Sequence, residues 1–266
     1  MSKIIYEIMH RENCVAQIST VGECKIYLED FMPYDLMLEE SNDFDKRIKN
    51  AMSFYSWCAS RMIPPDRTYA KEILNSIGAS QSVTDRERAQ IALSYHCLSL
   101  LDVFWVKEEN EKIRFEDINL FAHSLSNALV DIALRGHQMT VTNAHLLAND
   151  LSTGGLYPKA WVRKEDGFYL YKDGGRDAVE REVLASKICR CFDCHQVLYE
   201  QGMFENEPVS ISKIMTSQRY SLVTYAAYDV YCTNHDWNTL DKILELDAPS
   251  YYMTVSYTHL TLPTIR

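Results

Sequence analysis

Polar and apolar residues alternate through the first 30 positions of the chain, which is typical of strands that bury one face. The alternating runs are 4–9, 15–18 and 25–28, and they are separated by the polar turn 10–13 and by Gly22. We therefore predict a small antiparallel β meander in this part of the chain.

From about residue 44 to residue 147 the apolar positions follow the spacing of helices. The first predicted helix includes 48–62 and must end before Pro64 and Pro65, because the residue before a proline avoids helical geometry. The aromatic-rich segment 99–106 is interpreted as a packing element. One face of the first helix is predicted to carry Ala51, Phe54, Tyr55 and Cys58.

Further helices are predicted in the same region from their periodicity and end signals. The second is expected to end at Gly78 in a left-handed cap, and the third to begin after Thr84 as N-cap. Their predicted ranges are 67–77, 82–99, 115–119, 124–134 and 143–147.

In residues 150–188 the sequence pattern predicts a loop, two strands and a helix. A loop of small residues at 152–155 precedes a strand at 160–163, a turn at 165–167, a strand at 168–172 and a helix that carries two acids. Later elements are predicted as strands 197–199 and 209–214 around a turn at 202–208, then helices 225–233 and 239–246. The fold class is therefore predicted to be α+β.

The order of this second block suits the binding of a triphosphate. Glycine lets backbone amides approach phosphates closely, a strand lysine can pair with the α and β oxygens, and a helix carboxylate can hold that lysine in place. Lys172 is the basic residue whose strand context favours such a role, and we expect its side chain to face the surface. Each part alone also has an ordinary explanation, since glycine pairs mark turns and an exposed lysine can keep a turn soluble.

Composition limits the classes of function. The net charge of −10 argues against direct nucleic-acid binding, which needs a basic surface. A hydrophobic content of 47% is sufficient for packed cores. The sequence has no apolar run of signal-peptide or membrane-spanning length, so we expect a cytoplasmic protein with no membrane partner.

Eight cysteines lie mostly in apolar-periodic segments, which is typical of reduced thiols in a cytosol. The cluster Cys189, Cys191, Cys194 and His195 resembles a zinc-binding spacing, but no second ligand pair follows at finger-like spacing. Packing in the core and at a helix end is the preferred interpretation, and we predict no metal site here.

The last residues of the sequence do not belong to its fold pattern. Residues 255–264 read VSYTHLTLPT, which is the translation of a transposon-end sequencing adapter. We therefore expect 255–266 to be an adapter-derived artefact, and we expect the natural protein to continue differently after Thr254.

The motifs S-T-G-G-x-x-P-K-A at 152–160, Y-K at 171–172 and E-V-L-A at 182–185 resemble those of the HipA-like Ser/Thr kinases of bacterial toxin-antitoxin systems. The phrases K-A-W-x-R-K-E-D-G-F-Y-L and E-V-L-A-S-K-I-C-R-C-F are similar to those of HipA-domain proteins from gut Firmicutes and their mobile elements. The closer resemblance covers most of 1–253, and the wider HipA pattern begins at about Ser152.

The resemblance implies roles for particular residues. Lys172 is implied to contact the ATP phosphates, with Glu182 as its helix partner and Glu180 as an alternative to Glu182. The loop over the phosphates is implied to be Ser152, Thr153, Gly154 and Gly155, and the hinge beside adenine to be 213–215, which includes Lys213 and Met215. The catalytic base and the magnesium-binding residues are implied to lie beyond Thr254, so no catalytic residue is named.

The implied organisation has three parts. Residues 1–148 form the β meander and helical region, 149–254 form a kinase-like small lobe with the start of a large lobe, and 255–266 are the artefact. The expected function is that of the N-terminal part of an ATP- and Mg²⁺-dependent Ser/Thr protein kinase, inactive as written, with an unidentified protein substrate and an antitoxin-like partner. The alternative is a non-catalytic nucleotide-binding regulatory module of a mobile element.

Overall fold

Two four-stranded antiparallel sheets and several helices make up the computed structural model, which describes residues 3–76, 84–122, 152, 154–192 and 197–245. The predicted α+β class is confirmed at this level. The first sheet has the order β3-β2-β1-β4 and the second the order β5-β6-β8-β7. The strands are β1 Ile5–His10, β2 Asn13–Ser19, β3 Cys24–Ile26, β4 Phe104–Glu108, β5 Lys159–Lys164, β6 Gly167–Lys172, β7 Tyr199–Phe204 and β8 Glu207–Lys213.

The helices fall between and after these strands. A short 3₁₀ turn, Glu29–Phe31, precedes the first of them. The α-helices are α1 Phe44–Ser60, α2 Ala70–Ser76, α3 Asp85–Ser94, α4 Phe115–Ile118, α5 Arg176–Cys189, α6 Tyr225–Asn234 and α7 Thr239–Leu244. The predicted helices at 124–134 and 143–147, the cap at Gly78 and the tail 255–266 lie outside the described residues.

The first sheet contains the predicted meander and one additional strand. Strand β4 pairs with β1, and Trp105 is the Cα partner of Met9. Trp105 is fully buried, and its indole Nε1 donates to the carbonyl oxygen of Arg11 at 2.7 Å. The segment was expected only as a packing element, because a strand that is buried on both faces lacks the alternation that identifies strands.

Helix ends follow local capping chemistry. Thr84 forms a capping box with Glu87, which confirms the predicted start of α3. The predicted end near residue 99 is wrong, because α3 ends at Ser94. His96 and Cys97 have φ values of 55° and 52°, and this left-handed pair turns the chain toward β4.

The second sheet is built from two hairpins, and α5 packs on it through β7 and β8. The hairpin between β7 and β8 turns at Glu205 and Asn206, whose φ values are 49° and 66°. The predicted turn at 202–208 is therefore too long, because Gly202 and Pro208 belong to the strands. Two-residue hairpin turns of this kind require positive φ at both central positions.

The two sheets meet in apolar clusters that contain residues of both. Trp105 and Leu100 from the first part pack in the same cluster as Trp161 and Phe168 from β5 and β6. After β8 the chain returns to the first part, where the hydroxyl of Thr216 donates to the carbonyl oxygen of Leu100 at 2.5 Å. The position of the second sheet is therefore fixed by packing and by backbone contacts.

A buried ion pair lies at the end of α1. Arg61 donates from both terminal nitrogens to Asp102, at 2.8 and 2.7 Å, and from Nε to the carbonyl oxygen of Cys97 at 2.6 Å. The two side chains are 8% and 15% exposed. The pair ties α1 to the segment that leads into β4.

We expect Asp102→Ala to lower the free energy of unfolding by about 3–5 kcal/mol, because it leaves the buried Arg61 guanidinium without its counter-charge. Urea denaturation measures this loss. Asp117→Ala is the control, since Asp117 pairs with Arg114 on the surface and its loss should cost much less. Equal losses in the two variants would contradict the assigned role of Asp102.

Candidate functional site

One row of residues crosses all four strands of the second sheet at the level of Lys172. Lys159, Lys172, Ser210 and Gln201 are successive Cα partners along this row. Directly opposed residues in antiparallel strands project from the same face. The register therefore brings two lysines side by side.

Lys172 and Glu182 form an ion pair, with Lys172 Nζ 3.1 Å from Glu182 Oε1. The Lys172 side chain is 18% exposed, so the expectation that it faces the surface is wrong. Glu180 is exposed, because two residues along a helix rotate a side chain by about 200°. The structure thus brings Glu182, and not Glu180, to the lysine.

Two further side chains fix this ion pair. The Tyr199 hydroxyl accepts a hydrogen bond from Lys172 Nζ at 2.9 Å, and the ammonium lies 4.5 Å from the centre of the tyrosine ring. The Ser210 hydroxyl donates to Glu182 Oε2. Burial lowers the pKa of the Lys172 ammonium group, but Tyr199 and Glu182 raise it by more, so its net pKa lies above the ordinary value. Lys172 therefore stays charged.

Lys159 is the second cation of the site and is 9% exposed. Its Nζ donates to the carbonyl oxygen of Gly154 at 2.6 Å. Burial, which has the largest effect, and the charges of Lys172 and Arg67 together lower the pKa of Lys159 to about 8, against an opposing effect of Glu182. At neutral pH the amine is still mostly protonated.

Arg67 supplies a third positive charge. It is 5% exposed, and its guanidinium donates to the carbonyl oxygen of Lys159. Lys159 and Lys172 share one carboxylate, that of Glu182, among the side chains described above. The lysine pair therefore carries more positive than negative charge beneath the loop.

The loop predicted to cover phosphates passes directly over Lys159. A Cβ atom at Gly155 would lie 2.5 Å from Lys159 Nζ, and the φ of Gly155 is 93°, so glycine is required there. Ser152 lies elsewhere, since its hydroxyl is 2.6 Å from that of Ser99 and it lines a different cavity. Thr153 lies outside the described residues.

The side chains of the predicted hinge residues do not lie beside Lys172. Lys213 projects from the opposite face of β8, where its Nζ lies 2.9 Å from Asp166 Oδ2 at the β5–β6 turn. Met215 is 40% exposed. Any contact of this segment with a base would have to come from its backbone.

Sequence reasoning missed Lys159, Tyr199, Ser210 and Arg67. The first could have been found by pairing the strands through a two-residue turn at Glu165 and Asp166, because Gly167 then belongs to the strand and Lys159 aligns with Lys172. The polar alternation of Ser210 and Ser212 in β8 was also a signal, because it places hydroxyls on one face. Arg67 comes from a distant part of the chain, and no local pattern indicates it.

Metal-ligand groups and membrane-spanning helices are both absent from the described residues. Among them, no group of three or more His, Cys, Asp or Glu side chains is placed to hold a metal ion. Cys194 and His195 of the cysteine cluster fall in the range 193–196, which is not described. None of the helices described here is both long enough and apolar enough to cross a membrane.

Comparison of the chain with protein-family models and with curated proteins gives no match. The resemblance to HipA-like kinases therefore rests on the residues of this chain alone.

The contact between Ser210 and Glu182 can be tested by Ser210→Ala. We expect the free energy of unfolding to fall by about 1–2 kcal/mol, because a hydrogen bond to a charged group is lost. Ser212→Ala is a matched control, since Ser212 is 4% exposed on the same face of β8, in the next row. A loss in Ser210→Ala no larger than that in the control would remove Ser210 from the network.

Proposed function

We propose that this chain binds the phosphates of a nucleoside triphosphate between the loop at Gly154 and Gly155 and the face that carries Lys159 and Lys172. The two buried lysines that share one carboxylate are the observation that supports this most strongly. Their ammonium groups repel each other, and a polyphosphate supplies the missing negative charge. A neutral ligand would leave the repulsion unrelieved.

The donors that remain available suit phosphate oxygens. A lysine ammonium has three N–H donors, and Lys172 uses one on Glu182 and one on Tyr199. Its third donor is left for a ligand. Lys159 uses one donor on Gly154, so it can contact phosphate while it still holds the loop.

The start of α5 adds to the positive potential. This 14-residue helix begins at Arg176, four residues after Lys172, and the aromatic ring of Tyr157 packs against Gly174 at the same end. The N-terminal end of a helix carries a partial positive charge, which favours anions. The loop that contains Gly155 and the helix start are thus brought together through Tyr157.

The resemblance to HipA-like kinases extends the proposal to an ATP-dependent Ser/Thr protein kinase of toxin-antitoxin type. In that setting the lysine, the helix carboxylate and the glycine loop position ATP, and Mg²⁺ neutralises charge during transfer when it is bound. The described residues fit the triphosphate but provide no group of metal ligands. No transfer step is therefore assigned to them.

A series of nucleotides tests the phosphate site. We expect affinity in the order ATP, ADP, AMP, with about a tenfold loss for each phosphate removed, because each removes charge-assisted hydrogen bonds. Lys172→Met should weaken ATP binding about tenfold or more. Isothermal titration calorimetry measures both effects.

Lys164→Met is the control for that substitution. Lys164 belongs to the same sheet but projects from the opposite face, where its Nζ lies 4.3 Å from the ring centre of Tyr169. Equal affinity for AMP and ATP, or an equal effect of the two substitutions, would contradict the phosphate site. Labelled ATP separates the two functions, since binding without transfer fits a positioning or regulatory module and transfer shows a complete kinase.

The affinity for ATP should depend on pH through Lys159. Phosphate binds the protonated amine, and the free protein loses that proton as pH rises through about 8, so binding must then take up a proton. Above that pH we expect the affinity for ATP to fall by up to about tenfold per pH unit. The terminal phosphate has a pKa of about 6 and does not titrate in this range. Lys159→Arg should flatten the pH dependence of ATP affinity. An unchanged pH dependence in this variant would exclude Lys159 as the titrating group.

A further inference from the structure

A separate cavity of about 310 Å³ lies beside the first sheet. It is enclosed by the end of β1, the 3₁₀ segment, the end of α1, the start of β4 and the segment before α6. Its volume is at the lower end of the range for small-molecule sites. None of its lining residues belongs to the row that contains Lys172.

The walls of this cavity are aromatic. The ring of His10 lies 5.4 Å from that of Phe31 and 5.1 Å from that of Phe104, measured between centroids, and Trp57 also lines the space. Burial lowers the pKa of His10, and the charge of Arg11 lowers it further. At neutral pH His10 therefore adds an aromatic surface and little positive charge.

The charges in the lining are unbalanced. Asp30, Asp35 and Asp102 are acidic, and Arg61 is the one strongly basic side chain among the lining residues. Arg61 is already committed to Asp102, to two backbone carbonyls and to the ring of Trp57, 4.8 Å from its guanidinium carbon. Within the described residues, neither Asp30 nor Asp35 forms an ion pair at contact distance. Burial raises the pKa of Asp35, and the charge of Arg61 and a hydrogen bond with Trp57 oppose that rise.

We propose that this cavity binds a small organic cation, a protonated amine carried on an aromatic ring. Aromatic faces attract cations and stack on aromatic rings, and the two carboxylates supply the counter-charge. The hydroxyl groups of Ser60, Ser221 and Thr224 also line the cavity and add acceptors for the amine protons. Three acids and one strongly basic side chain in the lining disfavour an anion.

Tyramine is a suitable probe, because it combines a phenol ring with a primary amine. We expect saturable binding at millimolar concentration, measured by ligand-detected NMR and by calorimetry on the full chain. The neutral analogue 4-ethylphenol and the anionic analogue 4-hydroxyphenylpropionate have rings of the same kind, and we expect each to bind at least about tenfold more weakly.

Substitution of the acids locates the site. Asp35→Asn should weaken tyramine binding about tenfold, and Asp30→Asn should act in the same direction. Asp45→Asn is the control, since Asp45 lies in the first turn of α1 and the residues of α1 that line the cavity, Trp57 and Ser60, lie in its last turn. Circular dichroism checks that each variant is folded.

The result that supports the proposal is tyramine binding that is lost in Asp35→Asn and kept in Asp45→Asn. Three results would overturn it. These are no saturable binding of tyramine, equal binding of 4-ethylphenol, and binding that is unchanged in both Asp35→Asn and Asp30→Asn. ATP binding is measured on the same samples, so failure of this site is distinguishable from failure of the phosphate site.

Discussion

Two lysines held side by side on adjacent strands are the constraint around which the second sheet is organised. Like charges a few ångströms apart repel by a few kcal/mol at an effective dielectric constant of about 20. The structure reduces this cost by placing Glu182 from α5 against Lys172 and by lowering the pKa of Lys159 to about 8. The remaining excess of positive charge favours an anionic ligand, and the glycine loop lies where such a ligand would bind.

The position of that lysine pair depends on the packing of the whole chain. Arg67, which donates to the carbonyl oxygen of Lys159, belongs to the first part, and Trp161 on β5 packs in the cluster of Trp105. The Arg61–Asp102 pair holds α1 against the segment that leads into β4. The proposed phosphate site is therefore supported by residues far from it in sequence, and a short motif alone identifies it weakly for that reason.

The sequence predicted the elements whose signals are local. The meander, the start of α3 at Thr84 and the hairpin that ends in Lys172 follow from alternation, capping and turn residues. Strand β4 was not predicted, because burial on both faces removes alternation. The end of α3 was misplaced, because nothing in the local pattern indicates the left-handed pair His96 and Cys97.

The candidate site was only partly predicted, because a sequence pattern carries local signals and several contacts of the site are not local. The pairing of Lys172 with Glu182 was implied by the resemblance to HipA-like kinases, and the structure places them 3.1 Å apart. Lys159 and Tyr199 require the register between strands, and Ser152 was assigned to the phosphate loop although its hydroxyl lies beside that of Ser99. Such placements depend on tertiary packing, which a pattern along one chain does not contain.

The most direct test of the phosphate site is a crystal structure of the chain with a non-hydrolysable ATP analogue. We expect phosphate oxygens within about 3 Å of both Lys159 Nζ and Lys172 Nζ, beneath Gly154 and Gly155. An analogue bound elsewhere, with the two lysines free of phosphate contacts, would contradict it.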